Sequence, residues 1–249
     1  MTMIAIDARA LLRVWEEQQR AHPIQRALQL LAQAWPEHGE GGWLHAPIGT
    51  RDAALMRLHE SLFGGALHTR TACPHCGEQV ELPFRVGDVL AGAAAPSDEP
   101  RSLSLEQHGH AIDYRLPTSD DLLAVTGAGD SAAIAAQRLM QRCVSRARRG
   151  GDELDAAALP DDVVAALGDA MAQHDPQADV RIALACPACG EHSQAHFDIV
   201  SYLWSELDDW AQRVLADVHV LARAYGWSED AILALSPSRR QIYLEMVSA

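Results

Sequence analysis

The chain spells nearly the same phrase twice: "CPHCGEQV", beginning at Cys73, and "CPACGEHS", beginning at Cys186. In C-P-x-C-G the two cysteines lie on one tight turn. The glycine after the second cysteine can take a positive φ, which lets backbone amides approach sulfur. Such a turn supplies two corners of a zinc tetrahedron with Zn–S bonds of about 2.3 Å. One turn is half a structural site, and two complete it: Cys73, Cys76, Cys186 and Cys189. Between Cys76 and Cys186 lie 109 residues, where a simple ribbon has about 15–20. Closing the longer loop costs about 2 kcal/mol more, against about 10–16 kcal/mol of apparent binding energy for structural zinc. The long interval is therefore tolerable, especially if it folds by itself. Two separate sites would need further ligands, with His75 and His192 the first candidates and His68 and His196 behind them. A shared site needs none. Four thiolates leave no open coordination position, so the expected cofactor is one structural Zn2+ and not a catalytic one.

The competing reading of a CxxC pair is a thioredoxin-like redox site. That motif opens a helix after a strand. Here each pair is followed by Gly and then by alternating residues typical of a strand. The start, "MTMIAIDARALLRVW", lacks a basic region followed by an apolar stretch and a cleavage site. No run reaches the roughly 18–20 apolar residues of a membrane span. The expected location is the cytoplasm, or an assembled particle that incorporates the protein; in a reducing compartment four paired cysteines favour metal over disulfides. With 34 acidic and 20 basic residues the formal charge is −14, so general binding to a phosphate backbone is disfavoured.

Apolar spacing predicts a helix from about Ala10 to Trp35, a break at "PEHGEGG", and a helix from about Thr50 to Phe63 stopped by Gly64-Gly65. Val80, Leu82 and Phe84 alternate as a strand after the first knuckle. "AGAAAPSDEP" reads as a linker. Leu103, Leu105, Ile112, Tyr114 and Leu116 flank a hairpin turn at "QHGH", and Thr118 or Ser119 caps a helix. A further helix is expected over Ser131 to Ala147, with Cys143 a core residue on its stripe. "RARRGGDELDAAALPDD" reads as a loop, followed by a helix near Val163 to Gln173. Strand-like arms flank the second knuckle. The last fifty residues carry a long amphipathic helix with Leu203, Leu207, Trp210, Val214 and Tyr225 on its apolar face. Gly226 ends it, and Ser228 and Ser236 cap two shorter helices. No repeat is apparent beyond the knuckles.

These elements imply an α+β, mostly helical fold. A split four-cysteine zinc ribbon carries an inserted α/β subdomain and is flanked by N- and C-terminal helices. The boundaries are 1–65 for the N-terminal helical segment, 66–90 and 178–200 for the ribbon halves, 91–177 for the insertion, and 201–249 for the C-terminal helices.

Enzyme signatures fail. "HESLF" at His59 lacks the second histidine of HExxH, and "GAGD" at Gly127 is neither a P-loop nor a dinucleotide fingerprint. "GGDELD" at Gly150 reads as an acidic loop. The cluster Arg142, Arg146, Arg148 and Arg149 could touch nucleic acid, but a cationic helix end is favoured by the dipole anyway. Trp43, in a Gly-rich stretch, is a candidate partner contact. Two alternatives follow: a zinc-ribbon regulator that binds nucleic acid through those arginines, and a zinc-dependent hydrolase using His192 or His196.

The stretch from Cys186 through "SYLWSELDDWAQRVLADVHVLARAYGWSEDAILALSPSRRQIYLEMV" resembles the baseplate hub assembly chaperone family of T-even-like contractile-tailed phages and phage-like contractile injection systems. The likeness lies in a cysteine knuckle and a helix with an aromatic entry. It continues in the H-x-L-A-x-A-Y-G-W-S-E-x-x-I-L-x-L run from His219 to Leu235 and an Arg-Arg helix ending in "YLE". "YRLPTSDDLLAV" is also similar to the stretch before that family's central helix. The resemblance implies a non-enzymatic protein that binds baseplate hub or wedge and other tail-assembly proteins. It would act as an assembly chaperone or as a component of the baseplate.

Overall fold

The computed structural model describes residues 2–90, 102–126 and 131–248. It is α+β and 57% helical. The expected linker at 91–100 and the "GAGD" string lie outside the described residues. Asp7 caps α1 (Ala8–Glu17), its carboxylate accepting the Ala10 N–H at 2.8 Å. The single helix expected up to Trp35 is in fact two. Pro23 has no N–H to continue α1, so it opens α2 (Pro23–Ala34) instead, with a capping box between His22 and Gln25. "PEHGEGG" does not simply break the chain: a short helix, α3 (Gly39–His45), starts inside it. Trp43 lies on α3 and is 1% exposed, packed edge-on against His38. It is a core residue, not a partner contact. α4 (Ile48–Phe63) begins two residues before Thr50, after Pro47, and stops at Gly64, whose φ of 94° only glycine adopts easily.

Strands β1 (Ala66–Ala72) and β2 (Gln79–Arg85) form a hairpin around the first knuckle, and α5 (Val86–Leu90) follows. Strands β3 (Leu103–Gln107) and β4 (His110–Tyr114) join at His108-Gly109, both at positive φ, as a two-residue primed turn requires. Next come α6 (Ser119–Val125) and α7 (Ala132–Cys143). The sequence-based helix to Ala147 ends early, and the expected loop is a hairpin of β5 (Val144–Arg149) and β6 (Asp152–Leu154). Cys143 and Ala147 stand four apart and fit a helical stripe. Pairing of β5 with β4 nevertheless claims the backbone from Val144 onward, and Gly150-Gly151 supply the turn. The result is a four-stranded antiparallel sheet in the order β3-β4-β5-β6. Helix α8 (Asp161–His174) covers its apolar face: Ile112, Tyr114, Cys143 and Ala147 meet Val163, Leu167 and Met171 in one core. Burial pushes the Cys143 thiol up to about 11, so it behaves as an inert core residue. Leu167 is fully buried there, and Leu167→Ala is expected to cost about 2–5 kcal/mol of stability in urea unfolding.

Strands β7 (Arg181–Ala185) and β8 (His192–His196) form the hairpin of the second knuckle, and the chain ends with α9 (Ile199–Tyr225), α10 (Glu229–Leu233) and α11 (Pro237–Ser248). The chain divides into two compact units, one of residues 38–199 and one of residues 1–37 with 200–249. In the second of these, Leu12 packs with Ala211 and Val214. Leu203, Leu207 and Leu221 continue the buried stripe of α9. Trp15 Nε1 donates to Asp208 at 2.8 Å, and the Arg26 guanidinium covers the Trp204 ring at 4.5 Å. Trp210 only flanks this core, and Tyr225 is 38% exposed, so the apolar face is narrower than its sequence pattern.

Candidate metal centre

Each cysteine pair sits at the tip of a two-stranded hairpin, and the two tips are built alike. In the first, Cys73 N–H donates to the Glu78 carbonyl at 2.8 Å and Gly77 N–H to the Cys73 carbonyl at 2.9 Å. In the second, Cys186 N–H donates to Glu191 at 3.0 Å and Gly190 N–H to Cys186 at 2.9 Å. The glycines have φ of 77° and 75°. This left-handed residue turns the chain back without a Cβ clash, which explains the glycine after each second cysteine.

The likeness runs further than the knuckles. A constant offset of 113 residues carries β1 and β2 onto β7 and β8, and it carries Phe84 onto Phe197 and Val86 onto Ile199. Val86 and Ile199 are both buried first residues of the helix after the hairpin. The contacts are reciprocal, as a two-fold relation requires. Cys73 Sγ approaches Cys189 Sγ at 3.8 Å while Cys76 Sγ approaches Cys186 Sγ at 3.6 Å, and Phe84 meets Phe197 edge-on at 4.9 Å. The likeness of the two knuckles therefore extends to their hairpins: residues 66–86 and 179–199 place strand, knuckle, strand and helix start in the same order at one offset. The side chains do not follow it, since Val80 corresponds to Ser193 and Leu82 to Ala195. The hairpins remain two separate two-stranded sheets, held by a shared core of Val80, Leu82, Leu184 and the two inner cysteines.

All four sulfur atoms lie within 4.8 Å of one another, and they are the only such cluster of potential metal ligands among the described residues. A tetrahedron with arms of about 2.3 Å has edges of about 3.8 Å, which the two closest approaches match. None of the four is in a disulfide. Backbone N–H groups of Cys76 and His75 lower the Cys73 thiol, and those of Cys189 and Ala188, acting against desolvation, lower Cys186 to about 7. At the outer pair the balance is opposite: against the Glu78 amide the Cys186 sulfur and burial raise Cys76, and against the Glu191 amide burial raises Cys189. Amides aimed at sulfur thus favour thiolate, the form that binds metal, at the inner pair Cys73 and Cys186. The donor set and its spacing thus fit a single zinc ion. His75, His192, His68 and His196 are exposed and outside the cluster, and His196 Nδ1 lies 2.9 Å from Asp179.

Two of the four arginines in the cluster are occupied by carboxylates. Arg142 pairs with Asp121 and Asp120 at 2.9 and 3.0 Å, and Arg146 with Glu153. Asp121 is the centre of a buried network that the sequence analysis, which named only a cap at Thr118 or Ser119, does not identify. Its buried carboxylate takes both Arg115 nitrogens at 2.5 and 2.8 Å, and the Thr118 N–H and hydroxyl at 3.0 and 2.9 Å. Thr118 and Asp121 form a capping box, a T-x-x-D signal that is legible in "TSDD". Elsewhere, "GGDELD" is the turn and strand of the β5–β6 hairpin, and His59 of "HESLF" is buried within α4.

Among the described residues no helix is long and apolar enough to cross a membrane. No curated protein and no solved structure matches the chain. A family model described as T4 bacteriophage base plate protein matches residues 5–204, a span that takes in both knuckles and everything between them. The chain belongs to that family and is a phage baseplate protein.

Proposed function

We propose that Cys73, Cys76, Cys186 and Cys189 hold one structural zinc ion, and that the chain is a non-enzymatic, protein-binding component or assembly chaperone of the baseplate. It serves a contractile phage tail or a related contractile injection system. In this reading residues 66–90 and 178–200 are the halves of one split zinc ribbon around an inserted subdomain. Bound zinc would clamp the two hairpins, whose shared core of five buried residues is too small to hold them alone. The observation that carries the reading is the baseplate family match across both cysteine pairs. A donor set of four thiols, with no fourth position left for water, supports a structural metal over a hydrolytic one. Neutralisation of Arg142 and Arg146 by carboxylates, within a chain of charge −14, speaks against a nucleic-acid surface.

The partners expected are hub or wedge and other tail-assembly proteins, met in the cytoplasm before or during incorporation into the particle. Coexpression of the tagged chain with its phage's tail-tube, hub and wedge proteins tests this. Stoichiometric copurification of one of them is the expected result. Recovery of none, with nucleic acid retained instead in a salt-sensitive manner, would reject it.

A further inference from the structure

Two-stranded sheets leave edges that must be covered, blocked or used. In the first hairpin the β2 edge is blocked, because Pro83 has no N–H and the Arg85 N–H is taken by Asp88 Oδ2 at 2.9 Å. In the hairpin of the second knuckle the edge of β7, the counterpart of β1, carries no such block. Val180 accepts from Phe197 N–H at 2.9 Å and Cys186 donates to Glu191, so the even residues of β7 pair inward with β8. Alternation then turns the N–H and C=O groups of Arg181, Ala183 and Ala185 outward. Ala183 and Ala185 are exposed and too small to screen them.

This edge opens into a groove of ≈ 570 Å³. Five consecutive residues, Asp179 to Ala183, line it, whereas β8 contributes only Gln194, so the groove follows the edge of β7 that no strand among the described residues pairs. Phe84, Val89, Val180 and Ile182 give it apolar walls. Gln177 Nε2 donates to the Val89 carbonyl at 3.1 Å and fixes the far side. Arg181 is neutralised by Asp179 at 2.7 Å, which leaves the exposed Asp88 as the rim charge that meets no cation among the described residues.

We propose that the β7 edge and this groove bind an extended strand of another polypeptide, which adds to the β7–β8 hairpin. A branched apolar side chain of that strand lies in the groove, and a lysine or arginine lies beside Asp88. The edge supplies hydrogen bonds at alternate residues, and the lone carboxylate selects a basic neighbour. A second copy of this chain fits poorly, because antiparallel β7–β7 pairing about Ala183 sets Arg181 opposite Ala185 and brings no cation to Asp88. The inference rests on the protein-binding reading above and names its surface.

The test uses the full zinc-loaded chain and a fluorescent peptide, acetyl-KTVTVTK-amide, followed by anisotropy. Saturable binding is expected. Ala183→Pro should weaken it about tenfold, because proline removes an outward N–H while leaving the β7–β8 ladder intact. Zinc content and melting midpoint should not change. Asp88→Asn should weaken binding about two- to threefold and reduce its salt dependence. Equal binding by Ala183→Pro, no binding at about 1 mM peptide, or self-association that Ala183→Pro abolishes would each overturn the proposal. If Ala183→Pro loses zinc, the same peptide N-methylated at both valines and at the threonine between them decides the matter: edge pairing requires that binding be lost. Failure of the peptide alongside intact copurification of tail proteins would remove the groove and leave the baseplate reading standing.

Discussion

Purified protein is expected to carry about one zinc ion per chain by elemental analysis, and Cys73→Ser or Cys186→Ser alone to abolish it. The two sulfurs of each knuckle occupy only two corners, and the two approaches of 3.8 and 3.6 Å both cross between hairpins. Loss of one inner cysteine therefore leaves three donors, one of them without its partner. Removal of zinc by a chelator should separate the hairpins and lower the melting midpoint by well over about 10 °C, since structural zinc contributes on the order of 10 kcal/mol. Two zinc ions per chain, or retention of metal by one knuckle after loss of the other, would rule out the shared site. Cys143→Ser is the control: its thiol is buried among Ile112, Val163 and Leu167 and should leave zinc content unchanged.

The second large effect is expected at Asp121. Asp121→Ala should cost about 3 kcal/mol in urea unfolding of the zinc-loaded protein, combining a lost capping box with two arginines deprived of a fully buried partner. Asp120→Ala, at a pair whose side chains are both more than a third exposed, should cost at most about 0.5 kcal/mol. Burial alone would raise the Asp121 carboxyl, but Arg115 and the Thr118 donors outweigh it and hold the group well below the usual carboxylate range. Its folded-state pKa lies below the unfolded value near 3.8. The unfolded chain therefore takes up the proton first on acidification. The contribution of Asp121 is complete above that value and is lost as pH falls below about 4. Asp121→Asn should flatten this acid limb and leave stability between about pH 6 and 8 uniformly lower. An acid limb identical to that of the unmodified protein would exclude Asp121 as its source.

Legibility in the sequence followed the range of the interactions. The caps at Ser228 and Ser236, the stop at Gly226 and the turn at His108-Gly109 are set by residues within about one turn of each other, and each occurs where its local signal places it. Val144–Ala147 misled because its side chains fit a helical stripe, while its backbone is claimed by β4, thirty or more residues earlier. Trp43 misled because neighbouring glycines look like a loop, yet burying an indole outweighs the low helix propensity of glycine.

The cysteine spacing and the glycine that follows each pair belong to the chain's local chemistry, and they announce two half-sites with no knowledge of the fold. Whether those halves meet is a question about 109 intervening residues, and only tertiary packing answers it by bringing four sulfurs within 4.8 Å. The same packing shows that the two hairpins share one order of strand, knuckle and strand, which their differing side chains do not announce. Among the described residues it also leaves the outer edge of β7 unpaired, since an edge is defined by the strands that do not lie beside it, and no local pattern encodes that.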